Sequence, residues 1–199
     1  VASMAKTSTK VFIMEVMGRH AGWIAAAGGL AAEHEGDAPQ VILFPEISFD
    51  ENAFLARVDA CVKRHGYCAV VASEGLRTLD GHFLSEARAT DAFGHAQLGG
   101  LAPMLAKLVK ARLGYKYHWA VADYLQRAAR HIASGTDVEQ AHALGVAAVD
   151  MLVAGKSGVM PVIVRTRDMP YEWHIDESPL DQVANVEKKM PRDYITDDG

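Results

Sequence analysis

Residues 11–16 read Val-Phe-Ile-Met-Glu-Val, and this nearly unbroken apolar run constrains the chain more than any other feature. A half-exposed strand alternates apolar and polar residues, whereas a strand covered on both faces has no need to. The run therefore predicts a strand inside a parallel sheet with helices above and below. Gln40 to Phe44, Cys68 to Ala72 and Tyr117 to Val121 fit as further strands of that sheet.

Helical patterns separate the strands. Ala21 to Glu35 is rich in Ala and includes Gly22, Gly28 and Gly29, small residues that cost helix propensity but let a helix lie close against a sheet. Gly36-Asp37-Ala38-Pro39 ends it. Asp50 is positioned to cap a helix whose Phe54, Leu55, Val58, Cys61 and Val62 form one apolar stripe, closed by Gly66. Leu76 to Gly100 has weak periodicity and reads as a long excursion with short strands or helical turns, followed by a helix from Leu101 to Leu113. Ser134 or Thr136 caps a long helix through Ala154, ended by Gly155. Val159 to Arg165 and Tyr171 to Ile175 then read as antiparallel strands around Arg167-Asp168-Met169-Pro170. This order predicts a layered α/β domain with a mainly parallel sheet.

With 199 residues, 50% of them hydrophobic and 23% charged, the chain can bury one good core and fits neither a disordered segment nor a coiled coil. The net charge of -5 comes from interspersed acids and bases, with no block that would mark a nucleic-acid or membrane tail. An anionic ligand must then be held by a few local cations. Cys61 and Cys68 sit in apolar surroundings and read as reduced core residues, which fits a cytoplasmic protein. There is no 18-residue apolar stretch and no signal-peptide pattern at the start. Val1 is not an initiator residue and Thr196-Asp197-Asp198-Gly199 ends without a clear element, so both ends are expected to be cuts within a longer protein. The nine histidines lack ligand spacing and read as surface or structural residues, and neither nucleotide-binding glycine fingerprint is present.

In open parallel sheets ligands collect at the carboxyl ends of strands. Three such ends carry polar groups: Met17-Gly18-Arg19, Ser73-Glu74-Gly75, and Tyr124-Leu125-Gln126-Arg127. A guanidinium offers a fork of donors for a phosphate, and a carboxylate offers acceptors for sugar hydroxyls. The set therefore points to a phosphorylated polyol. Each piece also has a plainer reading: Met-Gly-Arg as an ordinary strand-to-helix turn, Glu74 as a solvated strand-end acid, Arg127 as half of a surface ion pair.

The run Val11 to Trp23, containing Glu-Val-Met-Gly-Arg before a helix of small residues, resembles the signature of phosphofructokinases, and the order and spacing of the other two segments agree. The resemblance covers essentially all 199 residues. It implies that Met17, Gly18 and Arg19 line a fructose 6-phosphate site, with Arg19 also near the transferring phosphoryl group. Glu74 would hold sugar hydroxyls, and Tyr124 and Arg127 the 6-phosphate. Tyr124, where bacterial ATP-dependent members carry His, resembles the pyrophosphate-dependent group, as do His20-Ala21-Gly22-Trp23 and Ala128-Ala129-Arg130-His131.

Lys10 and His118 fall where bacterial ATP-dependent members place arginines that reach the 6-phosphate of a neighbouring subunit. Lysine keeps the charge but loses the fork, and neutral histidine supplies one donor at most, which leaves Lys116 as a substitute. The family's Thr-Ile-Asp-Asn-Asp base segment and Gly-Gly-Asp donor segment do not occur in this chain. The resemblance thus implies the sugar-binding half of an oligomeric enzyme whose magnesium, pyrophosphate and catalytic base are held mainly elsewhere. The rival readings are the ATP-dependent member and an inactive sugar-phosphate-binding module.

Overall fold

The structure, a computed structural model, describes residues 1–90, 96–98 and 100–196. A short helix, α1 (Ala2–Thr7), precedes β1 (Val11–Val16) and buries Ala5. The predicted helix 21–35 is shorter than its Ala content suggested: α2 spans Trp23–Ala27 and gives way to a 3-10 turn over Gly28–Ala31. Gly28 and Gly29 are the reason for the close approach. A Cβ on Gly28 would stand 3.2 Å from Val71, and one on Gly29 3.2 Å from Ile42, so this segment lies flat on the sheet where only glycine fits easily.

After β2 (Val41–Leu43), α3 (Glu51–His65) starts and stops where its caps dictate. Asp50 accepts the Ala53 N–H at 2.9 Å. Gly66, at φ 82°, returns its N–H to the Val62 carbonyl at 2.8 Å, the left-handed ending that glycine allows at least cost. β3 (Cys68–Ser73) is buried along its whole length. The excursion holds one antiparallel pair, β4 (Glu86–Thr90) and β5 (Ala96–Leu98); its residues 91–95 and 99 lie outside the described residues. α4 (Leu101–Leu113) and β6 (Tyr117–Val121) follow at the expected positions.

β1 explains its own sequence. The sheet order is β2-β3-β1-β6, all parallel, and β1 lies inside it. One face packs Val11 and Ile13 against α3 and α4 through Val58, Leu105 and Val109, all with no exposed surface. The other brings Met14 and Val16 onto Ala25 and Val71. Covered twice, the strand has no face on which polar residues would be solvated.

Contacts divide the chain into two compact units, 1–126 with 187–199, and 127–186. The second begins within the short helix α5 (Leu125–Ala128) and contains α6 (Gly135–Val153), the hairpin β7 (Val159–Arg167) with β8 (Glu172–Pro179), and α7 (Leu180–Val183). Ser134 caps α6 by accepting the Asp137 N–H at 3.4 Å, settling the choice with Thr136. Residues 197–199, on which the expectation of an unstructured end fell, lie outside the described residues.

Candidate functional site

The parallel register sets three strand ends side by side: Val16 pairs with Ser73, and Glu15 with Val121. The loops that leave them therefore start as neighbours.

The first two loops interlock through their backbones. The Glu74 N–H donates to the Val16 carbonyl at 3.0 Å, and the Gly75 N–H to the Gly18 carbonyl at 3.1 Å. The same Gly18 oxygen accepts Ser73 Oγ at 2.5 Å. In return the Gly18 N–H donates to Glu74 Oε1 at 3.3 Å. Glycine is required at both centres. Gly18 has φ 148°, and a Cβ there would lie 2.5 Å from Ser73 Oγ; a Cβ on Gly75 would fall inside the Arg19 carbonyl. The loops thus meet at a distance no side chain could share.

Beneath them Glu15, only 1% exposed, turns its carboxylate to α4 and accepts the Ala102 N–H at 2.8 Å. Gly100, the residue before α4, has no side chain to cap the helix, so a strand acid does this work. Burial pushes the Glu15 carboxyl up; the Ala102 N–H pulls it back, and the negative charge of Glu74 adds to the rise.

Arg19 is half-buried, and among the described residues its guanidinium has neither an ion pair nor a hydrogen bond. The third loop is tied to the same place by the Ala122 N–H, which donates to the Glu15 carbonyl at 2.9 Å. Asp123 then turns the chain at φ 43° and exposes Tyr124 and Leu125, each more than 60% accessible. Gln126 Nε2 is buried and, among the described residues, has no hydrogen-bond partner, a donor in want of an oxygen. Arg127, on the same short helix, opens the second unit.

The structure thus brings Met17, Gly18, Arg19 and Glu74 together, with Tyr124 following from the adjoining strand. Lys10, Lys116 and His118 stand elsewhere, at or near the amino end of the sheet. Lys10 Nζ donates to the Gly66 carbonyl at 3.1 Å, the Lys116 carbonyl accepts the Lys10 N–H at 2.9 Å, and His118 is exposed opposite Phe12 on the outer strand β6. Sequence reasoning named Ser73 and Gly75 only as neighbours of Glu74 in a strand-end tripeptide, and gave Glu15 no role beyond its place in the Glu-Val-Met-Gly-Arg run. Glu15 carried a usable signal, since a lone carboxylate inside an apolar strand must have a buried partner.

A family profile described as Phosphofructokinase matches residues 1–152. The chain belongs to the phosphofructokinase family. It is 63% identical over all 199 residues to a pyrophosphate--fructose 6-phosphate 1-phosphotransferase of Methylococcus capsulatus, of which it covers 47%, and 61% identical to the protein so named in Halomonas elongata, of which it covers 48%. A crystal structure of the pyrophosphate-dependent phosphofructokinase of Marinobacter aquaeolei superposes on the whole chain with TM-score 0.83 at 61% identity, again over 46% of that protein. This phosphofructokinase chain therefore spans about half the length of the curated relatives it matches.

Proposed function

We propose that this chain is the acceptor-sugar half of a pyrophosphate-dependent 6-phosphofructokinase, which moves a phosphoryl group from pyrophosphate to the 1-hydroxyl of fructose 6-phosphate and gives fructose 1,6-bisphosphate. The observation that carries the reading is the interlocked pair of glycine loops, which holds a half-buried arginine and a carboxylate at adjoining strand ends. Identities of 61–63% to proteins named for that reaction support it.

Phosphoryl transfer asks little covalent chemistry of the protein and depends on positioning and charge neutralisation. Glu74 accepts from sugar hydroxyls while Gly18 fixes its carboxylate. Tyr124, just before α5, and Leu125, Gln126 and Arg127 on it take the 6-phosphate. Arg19 neutralises charge on the moving phosphoryl group, and Met17 and Gly18 line the sugar. Magnesium and the catalytic base belong, in this reading, to the other half.

Lys10 and His118, at the far end of β1 and on β6, serve the 6-phosphate of a neighbouring subunit. The working form is then a cytoplasmic, glycolytic homo-oligomer with shared sites.

The test is phosphorylation of fructose 6-phosphate by the full-length protein with pyrophosphate and ATP supplied separately. Turnover with pyrophosphate alone is expected, and turnover with ATP alone would replace the donor. The 199-residue chain by itself should show none; magnesium-dependent turnover abolished by Arg19→Ala would overturn the assignment of base and donor segments to the other half.

A further inference from the structure

The residue after Arg19 is held from the far end of the chain. His20 Nδ1 meets the Glu187 carboxylate, and Trp23 Nε1 donates to the Lys188 carbonyl at 2.7 Å. Lys188 Nζ lies 6.0 Å from the centre of the Trp23 ring. Glu46 Oε1 accepts two N–H groups at once, from Gly22 at 2.9 Å and from Met190 at 2.8 Å. Among the described residues its other oxygen is buried without a hydrogen-bond partner. Gly22 has no room for a side chain, since a Cβ would lie 2.6 Å from Phe44. On its other side the His20 ring stacks on Phe83 with centroids 5.9 Å apart and planes 16° apart, and Arg77 covers Phe83 at 4.1 Å.

Arg19 therefore stands between two fixed points. Gly18 is locked to Ser73, Glu74 and Gly75, and His20 is gripped between Glu187 and Phe83. With both neighbours fixed, the Arg19 backbone is left one place to be, and only its side-chain torsions remain to find a ligand. Contacts made by segment 187–190 with residues some 144 to 167 positions earlier close very long loops.

We propose that His20, Trp23 and Glu46, with segment 187–190, are positioning residues that act through Arg19 and set how the acceptor sugar phosphate is held. This rests on the sugar-site reading above. The physical reason is that a displacement near 1 Å of a catalytic group costs on the order of 100-fold in rate, so a loop carrying one benefits from being held on both sides. The residues concerned include His20 and Trp23, two of those by which this chain resembles the pyrophosphate-dependent group.

The experiment uses the full-length protein with Glu187→Ala and Trp23→Phe, changes at partly exposed positions that leave the core intact. Affinity for fructose 6-phosphate and kcat/KM with each substrate are measured well below the thermal midpoint, for each variant alone and in an Arg19→Ala background. The expected result is a loss of about 10- to 100-fold in kcat/KM for the sugar phosphate, with the KM for the donor within about twofold. In sugar affinity, the loss caused by either variant should largely vanish once Arg19 is gone, because coupled residues are not additive. Variants that lower only the thermal midpoint, or whose losses add in full to that of Arg19→Ala, would overturn the proposal. If Arg19→Ala and Glu74→Gln themselves leave sugar-phosphate affinity unchanged, the failure lies instead in the site assignment.

Discussion

The two ends of the parallel sheet are made by the same strands and are built to different rules. At the amino end, turns close by ordinary means. Gly66 ends α3 in open space, with nothing within 4 Å of a Cβ added there, and Lys10 extends its ammonium to the Gly66 carbonyl. At the carboxyl end, Gly18 and Gly75 are wedged against another loop's atoms, a carboxylate is buried under them, and Arg19 is left without a partner among the described residues. A buried acid and glycines that leave no room for a Cβ are demanding features, and at the amino end Gly66 shows neither crowding nor a buried charge. The difference teaches that the carboxyl edge depends on close backbone contact between its loops, as the amino edge does not.

The sharpest way to break this comparison is to add one carbon at each end. Gly75→Ala should cost about 3 kcal/mol and abolish sugar-phosphate binding, because its Cβ overlaps the Arg19 carbonyl and neither backbone can give way alone. Gly66→Ala meets no neighbour and should cost only about 1 kcal/mol for its left-handed φ of 82°, with binding intact. Urea unfolding and equilibrium binding of both variants decide the matter; equal costs would mean that the two ends are alike.

Charge removal comes next. Glu74→Gln and Arg127→Ala in the full-length protein should each raise the KM for fructose 6-phosphate by roughly 10- to 150-fold, the worth of a charge-assisted hydrogen bond of about 1.5–3 kcal/mol, and leave the donor KM nearly unchanged. Normal sugar kinetics in both would make these residues structural.

A smaller effect concerns Glu15. A carboxyl held above its ordinary value of 4.5 by burial binds its proton more tightly in the folded state than in the unfolded. The stability it contributes is complete below the unfolded value and is lost as pH rises through the folded one. Plotted against pH, the thermal midpoint of the native protein should fall relative to that of Glu15→Gln from about pH 4.5 upward and then run parallel to it. A constant gap between the two curves would show that Glu15 titrates as an exposed acid does.

The smallest change is expected from Lys10→Ala, which removes a point charge on a flexible stem rather than a fork. Six extended residues separate Lys10 from Met17, about 20 Å, so the two cannot easily serve one ligand from one subunit. Mixed and reassembled, Lys10→Ala and Arg127→Ala subunits should regain activity above the mean of the two variants, since some interfaces then hold an intact site. Activity equal to the mean would remove the sharing of sites from the comparison.

Much of this architecture was legible in the chain because it follows from local chemistry. Asp50, Gly66, Ser134 and Gly155 mark helix ends, and the apolar runs of β1 and β3 announce strands covered on both faces. Apolar content alone was less informative. α6 is as apolar as the core helices, yet Val146, Val149, Leu152 and Val153 are exposed, because periodicity says which residues share a face and not what covers it. Of the site, Met17 to Arg19 and Glu74 were readable as strand-end polar groups. The Gly75 lock, the Glu15 cap on α4 and the Glu187–His20 pair were not, since each joins residues at least 56 positions apart and depends on backbone geometry that no local pattern encodes.

A crystal structure of the full-length protein with fructose 6-phosphate tests the role of the carboxyl edge most directly. The ligand should sit over the ends of β1, β3 and β6, with a sugar hydroxyl within 2.7–3.2 Å of the Glu74 carboxylate. A sugar phosphate bound away from these strand ends, with Glu74 and Arg19 untouched, would contradict it.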